Sequence, residues 1–182
     1  MTNAPFPQLS TSRLGLRRFR ESDAEAFARY RSDPAVARYQ SWEAPYPLEE
    51  ASRFVSAMAT QPADVPGEWL QIAVTLEDAL IGDCAFVAQA HEPRTAEIGF
   101  TIAPEHQGRG YAGEAVTSLL GYLFDQLGKH RVTASCGPRN APSVKVLESV
   151  GMRREGHLVE STWAKGEWTD DLIFAVLGRE VS

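Results

Sequence analysis

Residues 104–113, Pro104-Glu105-His106-Gln107-Gly108-Arg109-Gly110-Tyr111-Ala112-Gly113, constrain this chain more than any other stretch. An apolar, β-branched run from Ile98 to Ile102 precedes them and reads as a strand. After them, apolar residues at 112, 115, 116, 119, 120, 123 and 127 recur at helical spacing. A strand, a glycine-rich turn and a helix in that order leave backbone N–H groups unpaired at a helix start, where the helix dipole also favours an anion. Glycine lets a ligand approach the backbone closely. The stretch therefore points to a phosphorylated cofactor.

Composition narrows the rest. With 182 residues, 43% hydrophobic and 23% charged, the chain suits one folded domain over 1–182 with a real core. No apolar run reaches membrane-spanning length and the N-terminus lacks a signal-peptide apolar region, so no membrane partner is expected. Cys84 and Cys136 give no disulfide framework, which fits a reducing cytoplasmic location. A net charge of −6 argues against nucleic acid as a partner. His91, His106, His130 and His157 are scattered without ligand spacing, so no metal is expected.

Residues 1–8 read as a loose lead-in, and Arg13–Phe19 alternates as a first strand. Ser22-Asp23-Ala24-Glu25 resembles a capping box for a helix that Asp33-Pro34 stops, and a short helical piece follows to Tyr39. A loop carries Trp42, Pro45 and Tyr46, and Pro47 opens another helix with Leu48, Ala51, Phe54, Val55 and Met58 on one face. Trp69–Leu76 and Leu80–Ala88 read as a hairpin about Glu77-Asp78, and Thr95–Ala103 as the strand before the glycine turn. The long helix spans about 110–127 and stops at Gly128. Arg131–Cys136 follows as a strand, giving a right-handed parallel crossover. Asn140 caps a helix ending at Gly151, and Met152–Val159 and Asp171–Leu177 close the fold as an antiparallel pair, joined by a loop with Trp163, Gly166 and Trp168.

Three cofactors compete for the glycine turn. Gly108 to Gly113 spells the dinucleotide pattern G-x-G-x-x-G. Against it, the strand ends near 103, about five residues before the first glycine, and no carboxylate follows some 20 positions on, where Arg131–Cys136 lies. A P-loop is excluded because no Gly-Lys-Ser/Thr follows. Gln107-Gly108-Arg109-Gly110-Tyr111-Ala112 instead fits Q/R-x-x-G-x-G/A, and here the chain resembles the GNAT acetyltransferases. Leu9-x-Thr11-x-Arg13-Leu14-x-Leu16-Arg17, Asp23, Asp33-Pro34, Ala96–Phe100, Asn140-x-x-Ser143-x-x-x-Leu147-Glu148-x-x-Gly151-Met152 and Gly166-x-Trp168-x-Asp170 with Phe174 resemble, in order, the RimJ/RimL-like branch.

That resemblance implies an α/β GNAT fold, a twisted mixed sheet of about seven strands flanked by helices. It implies a splay between the central strand (about 95–103) and the next (about 131–136), into which the pantetheine arm of acetyl-CoA inserts. Phe100, Thr101 and Ile102 would offer backbone groups to pantetheine. Gln107, Gly108, Arg109, Gly110, Tyr111 and Ala112 would hold the pyrophosphate. Asn140 would bond pantetheine or simply cap its helix. Ser143 would protonate the departing thiolate, the role of the matching serine in this branch; many other GNAT enzymes carry a tyrosine on this helix instead, and residues 140–151 contain none. Glu97 would take the amine proton directly or through water, or stand as a salt-bridged edge residue. Tyr39, Trp42, Glu43 and Trp163 would frame the acceptor, or alternatively close the core. The expected reaction is acetyl transfer from acetyl-CoA to a primary amine, a protein N-terminus or a small molecule, by direct attack, in a monomer or homodimer. The rivals are a non-catalytic acyl-CoA sensor and an NAD-dependent oxidoreductase.

Overall fold

Eight strands form one sheet in the computed structural model, which describes residues 4–181. In chain order the elements are β1 (Leu9–Ser10), β2 (Leu14–Arg17), α1 (Ala24–Arg31), α2 (Pro34–Ala37), α3 (Leu48–Thr60), β3 (Leu70–Leu76), β4 (Ala79–Ala88) and β5 (Thr95–Ile102), then α4 (Tyr111–Gly121), β6 (Arg131–Cys136), α5 (Ala141–Ser149), β7 (Arg153–Ala164) and β8 (Glu167–Leu177). The strand order is β1-β2-β3-β4-β5-β6-β8-β7. Every neighbouring pair is antiparallel except β5–β6, the parallel crossover that α4 spans. The strand beyond the expected seven is the two-residue β1, which pairs with Gly15 and Leu16.

The β5–β6 pair is short. Thr95, Ala96 and Glu97 face Arg131, Val132 and Thr133, and the ladder then ends, although β5 continues to Ile102 and β6 to Cys136. β6 turns its other edge to β8 along its whole length. The sheet therefore opens into a gap between residues 98–102 and 134–136, the splay that the family resemblance implies.

Helices cover both faces. Along β4 successive side chains alternate sides. Asp83 meets Tyr30 of α1, whereas Phe86 packs edge-on against Tyr122, just past α4, so α1 and α4 lie on opposite faces. The core includes Phe27, Leu16, Leu70, Ile72, Leu119, Leu120, Leu147 and Phe174, each under 2% exposed. Burial of one such leucine or phenylalanine stabilises by roughly 1.5–3 kcal/mol.

Four expectations need correction. Phe6, in the presumed loose lead-in, is buried edge-on against Tyr122; residues 1–3 of that stretch lie outside the described residues. Ser22 to Glu25 forms no capping box; Asp23 instead turns inward, accepting the Arg20 amide at 2.7 Å and pairing with Arg17. The long helix is α-helical only to Gly121, then widens into a π-helical stretch, Tyr122–Gln126, closed by the Leu127 N–H on the Tyr122 carbonyl at 3.1 Å. Finally, the closing strands are not joined by a long loop. β7 and β8 run on to a two-residue turn at Lys165-Gly166, whose φ values of 50° and 82° suit the tight hairpin turn that matches strand twist. Trp163 and Trp168 are direct cross-strand partners with ring centroids 5.5 Å apart. β7 is an edge strand exposed along nearly its whole length, so it carries no apolar alternation to announce it.

Candidate active site

At the end of β5, Pro104–His106 makes one tight helical turn, and the Gln107 side chain closes the loop by donating to the Ile102 carbonyl at 2.8 Å. Gly108 and Gly110 then take φ of +74° and +80°, a region that costs other L-residues roughly 1–2 kcal/mol. Gly110 is the N-cap of α4 and offers no side chain to its first amides. Those amides remain for an anion. The turn is held from outside. Arg13 donates Nη1 to the Arg109 carbonyl at 3.0 Å and Nε to Glu114 Oε2 at 2.7 Å, and its guanidinium lies 4.6 Å from the Tyr111 ring centre. Partial burial works to raise the Glu114 carboxyl, but hydrogen bonds from the Thr11 hydroxyl, Arg13 and Ser12 prevail and hold it near 2.

A groove of about 570 Å³ runs from this turn toward the splay. Its walls are Phe100, Thr101 and Ile102 of β5, the turn from His106 through Gly113, and Asn140, Ser143 and Val146 of α5, but the Arg109 side chain is not among them. Asn140 caps α5, its Oδ1 accepting the Ser143 amide at 3.4 Å. Pro142 sits in the first turn, where its missing N–H is not needed. The Ser143 side chain borders the groove.

A second cavity, of about 1030 Å³, lies between the segment after α2, the tip of β6 and the β7–β8 hairpin. Tyr39 and Gln40 line both cavities, so the two meet there. The Tyr39 hydroxyl donates to the Arg139 carbonyl at 3.0 Å, and Gln40 reaches Thr101 at 3.3 Å. Trp163 and Trp168 form an aromatic wall. Most carboxylates here have partners: Glu43 with Lys165 at 3.0 Å, Glu167 with Arg139, and Asp170 with His157 at 2.6 Å. Asp171 has no ion pair among the described residues; its Oδ2 accepts only the hydroxyls of Ser161 and Thr162, at 2.7 and 2.6 Å.

Glu97 stands behind this cavity at the root of the splay. Ser135, a lining residue, donates its hydroxyl to Glu97 Oε1 at 3.4 Å. Burial raises the Glu97 pKa above the ordinary glutamate value, the Ser135 hydrogen bond partly opposes this, and the charge of Asp171 adds to the rise. No ion pair with Glu97 occurs among the described residues, in contrast to the salt-bridged alternative. Cys136 also lines the cavity; burial, then the charge of Asp171, pushes its thiol up to about 11.

Of the four residues expected around an acceptor, Tyr39, Glu43 and Trp163 line the second cavity. Trp42 does not. Its indole N–H donates to the Arg31 carbonyl at 3.0 Å and its ring covers the buried Arg31 guanidinium at 3.9 Å, so it closes the core. Sequence reasoning missed Gln40, Asp171, and the Arg13–Glu114 pair.

A sheet parted between β5 and β6, with two cavities converging beside the gap, is the architecture of a group-transfer enzyme. A family model described as Acetyltransferase (GNAT) domain matches residues 13–153. YnaD of Bacillus subtilis, named an uncharacterised N-acetyltransferase, is 36% identical over 94% of this chain and 98% of its own. The chain belongs to the GNAT acetyltransferase family and is an N-acetyltransferase. Mycobacterium smegmatis RimJ, solved with CoA-disulfide, superposes with a TM-score of 0.80 at 27% identity, over 92% of this chain and 83% of that one. The spermidine N-acetyltransferase of Vibrio cholerae, solved with CoA and spermine, gives 0.79 at 26%, over 94% and 99%. Enzymes of this family use acetyl-CoA as acyl donor.

Among the described residues no cluster of His, Cys, Asp and Glu could hold a metal, and no helix is long and apolar enough to cross a membrane.

Proposed function

We propose that the 570 Å³ groove takes acetyl-CoA and the 1030 Å³ cavity takes a cationic amine, the two reacting beside Tyr39 and Gln40. The observation that carries this is the convergence of both cavities at the end of a splayed strand pair. The uncapped amides of the Gly108–Ala112 turn receive the pyrophosphate. The unpaired edge of β5 at Phe100–Ile102 receives pantetheine, with the Asn140 side chain beside it. The acceptor reading rests on charge: the carboxylates left without a cation at this cavity are Asp171 and, behind Ser135, Glu97. A spermine-bound relative supports a polyamine-like acceptor; a protein N-terminus in the RimJ manner is the alternative.

The reaction proceeds by direct attack. An alkylammonium with a pKa near 10 must first lose a proton. That proton passes to Glu97 through Ser135 or a water. The free amine nitrogen then bonds to the thioester carbon, a backbone N–H of β5 stabilises the oxyanion, and the C–S bond breaks. Ser143 gives the thiolate its proton and regains one, through water, from the second N–H of the attacking nitrogen, so a neutral amide and a free thiol leave. Much of the acceleration comes from holding both reactants in one cleft. Cys136, with its thiol held protonated, is a poor nucleophile, which favours this route over an acyl-enzyme. The protein works without a metal, in the cytoplasm, as a monomer or homodimer, with residues 1–182 forming one acetyltransferase domain and no membrane or nucleic-acid partner.

The test is a thiol-release assay with acetyl-CoA against spermidine, aminoglycosides and N-terminal peptides. Turnover with spermidine or another polycation well above that with peptides is expected. Release with peptides alone would overturn the small-cation reading, and none with any amine would favour a sensor.

A further inference from the structure

We propose that Arg13, in the turn between β1 and β2, is a positioning residue for the pyrophosphate-binding loop. This rests on the reading of residues 108–112 as that loop. Arg13 comes from a segment that contributes nothing to either cavity lining. It nevertheless holds the loop at the Arg109–Gly110 junction: Nη1 donates to the Arg109 carbonyl at 3.0 Å, and Nη2 lies close to Gly110, 3.4 Å from where a Cβ would stand.

The consequence follows from peptide geometry. In a planar trans peptide the C=O and the next N–H point in opposite directions. Holding the Arg109 carbonyl outward, toward Arg13, turns the Gly110 N–H the other way, toward the groove that Gly110 lines. It also keeps that carbonyl dipole from facing phosphate oxygens. The guanidinium is itself fixed. Glu114, in the first turn of α4, accepts from Nε at 2.7 Å and pairs with Nη2 at 2.6 Å, while also taking the Arg13 amide at 3.0 Å and the Thr11 hydroxyl at 2.5 Å. Without the clamp, a two-glycine turn has many backbone conformations open to it, and the anion must order it on binding.

Calorimetry with acetyl-CoA and steady-state kinetics on the full chain test this. Arg13→Ala should weaken acetyl-CoA binding and raise its KM about tenfold, the scale of one partly exposed charge-assisted hydrogen bond. The kcat at saturating acetyl-CoA and the acceptor KM should stay within about twofold. Arg13→Lys keeps the charge but cannot hold Arg109 and Glu114 together, and should recover only part of the loss. It also serves if Arg13→Ala does not fold. A folded Arg13→Ala, or in its place Arg13→Lys, with unchanged acetyl-CoA affinity would overturn the proposal, as would an equal rise in both KM values, which marks a general structural defect. Wild-type protein that binds no acetyl-CoA would instead remove the loop assignment and the clamp with it.

Discussion

Gly110→Glu adds a carboxylate to the turn proposed to hold the pyrophosphate. Two penalties follow and they separate. The first is conformational: Gly110 has φ +80°, and any other L-residue there costs roughly 1–2 kcal/mol. For a chain of this length that lowers Tm by about 2–8 °C. The second is electrostatic. A carboxylate about 4 Å from a phosphate charge, at an effective dielectric near 20, is repelled by about 4 kcal/mol. Arg13, whose Nη2 would sit 3.4 Å from the new Cβ, offsets part of this. Taking half as a lower bound leaves about 2–4 kcal/mol, or roughly 30- to 700-fold in Kd. Gly110→Gln carries the same strain and bulk without charge, and Gly108→Ala carries the strain at φ +74° in open space. Titration calorimetry with acetyl-CoA, beside thermal unfolding of all three, isolates each component. Equal affinity for the Glu and Gln variants would refute the charge argument, and wild-type affinity in a folded Glu variant would remove the pyrophosphate from this turn.

What the sequence disclosed tracks how local the physics is. Gly108 and Gly110 were legible because a positive φ leaves glycine little competition. α5 was legible because Asn140 caps it and Pro142 fits its first turn. The splay came only with the family resemblance, since nothing in Ile98–Ile102 says where a parallel ladder stops. Long-range pairings stayed hidden. Arg13 and Glu114 lie 101 positions apart and each reads as an ordinary surface charge. Arg31 and Asp83 are both nearly buried, and their 3.8 Å approach depends on how α1 sits on β4. Trp42 was ambiguous for a similar reason: an aromatic beside a loop covers a buried cation as readily as a substrate. β7 was truncated because an exposed edge strand needs no apolar period; its stability comes from the cross-strand tryptophan pair and the Lys165-Gly166 turn. The π-helical stretch was invisible because apolar residues at 119, 120, 123 and 127 suit either helical register.

The remaining predictions concern the chemistry. Ser143→Ala should lower kcat about 10- to 100-fold, the low end for a general acid because a thiolate leaves readily; acetyl-CoA affinity should hold, and wild-type turnover would dismiss Ser143. Cys136→Ala should remain active, because a thiol pushed up to about 11 supplies little thiolate at neutral pH; complete loss in a folded variant would revive an acyl-enzyme. The pH profile tests Glu97 most directly. Only its ionised form accepts a proton, so kcat/KM should climb through a Glu97 pKa that burial, and then the charge of Asp171, raise above the ordinary glutamate value. Asp171→Asn removes that charge, so the acid limb should move to lower pH even as acceptor KM rises. Stability should run the opposite way. A carboxyl whose folded pKa exceeds its unfolded one favours the fold when protonated, and that contribution is lost as pH rises through the folded value. Glu97→Gln should therefore lose the acid limb yet raise Tm at neutral pH, with the gain fading as pH falls from the raised folded pKa toward the ordinary glutamate value. If Asp171→Asn leaves the limb where it was, Glu97 is not the group that titrates, because the Asp171 charge helps to raise the Glu97 pKa.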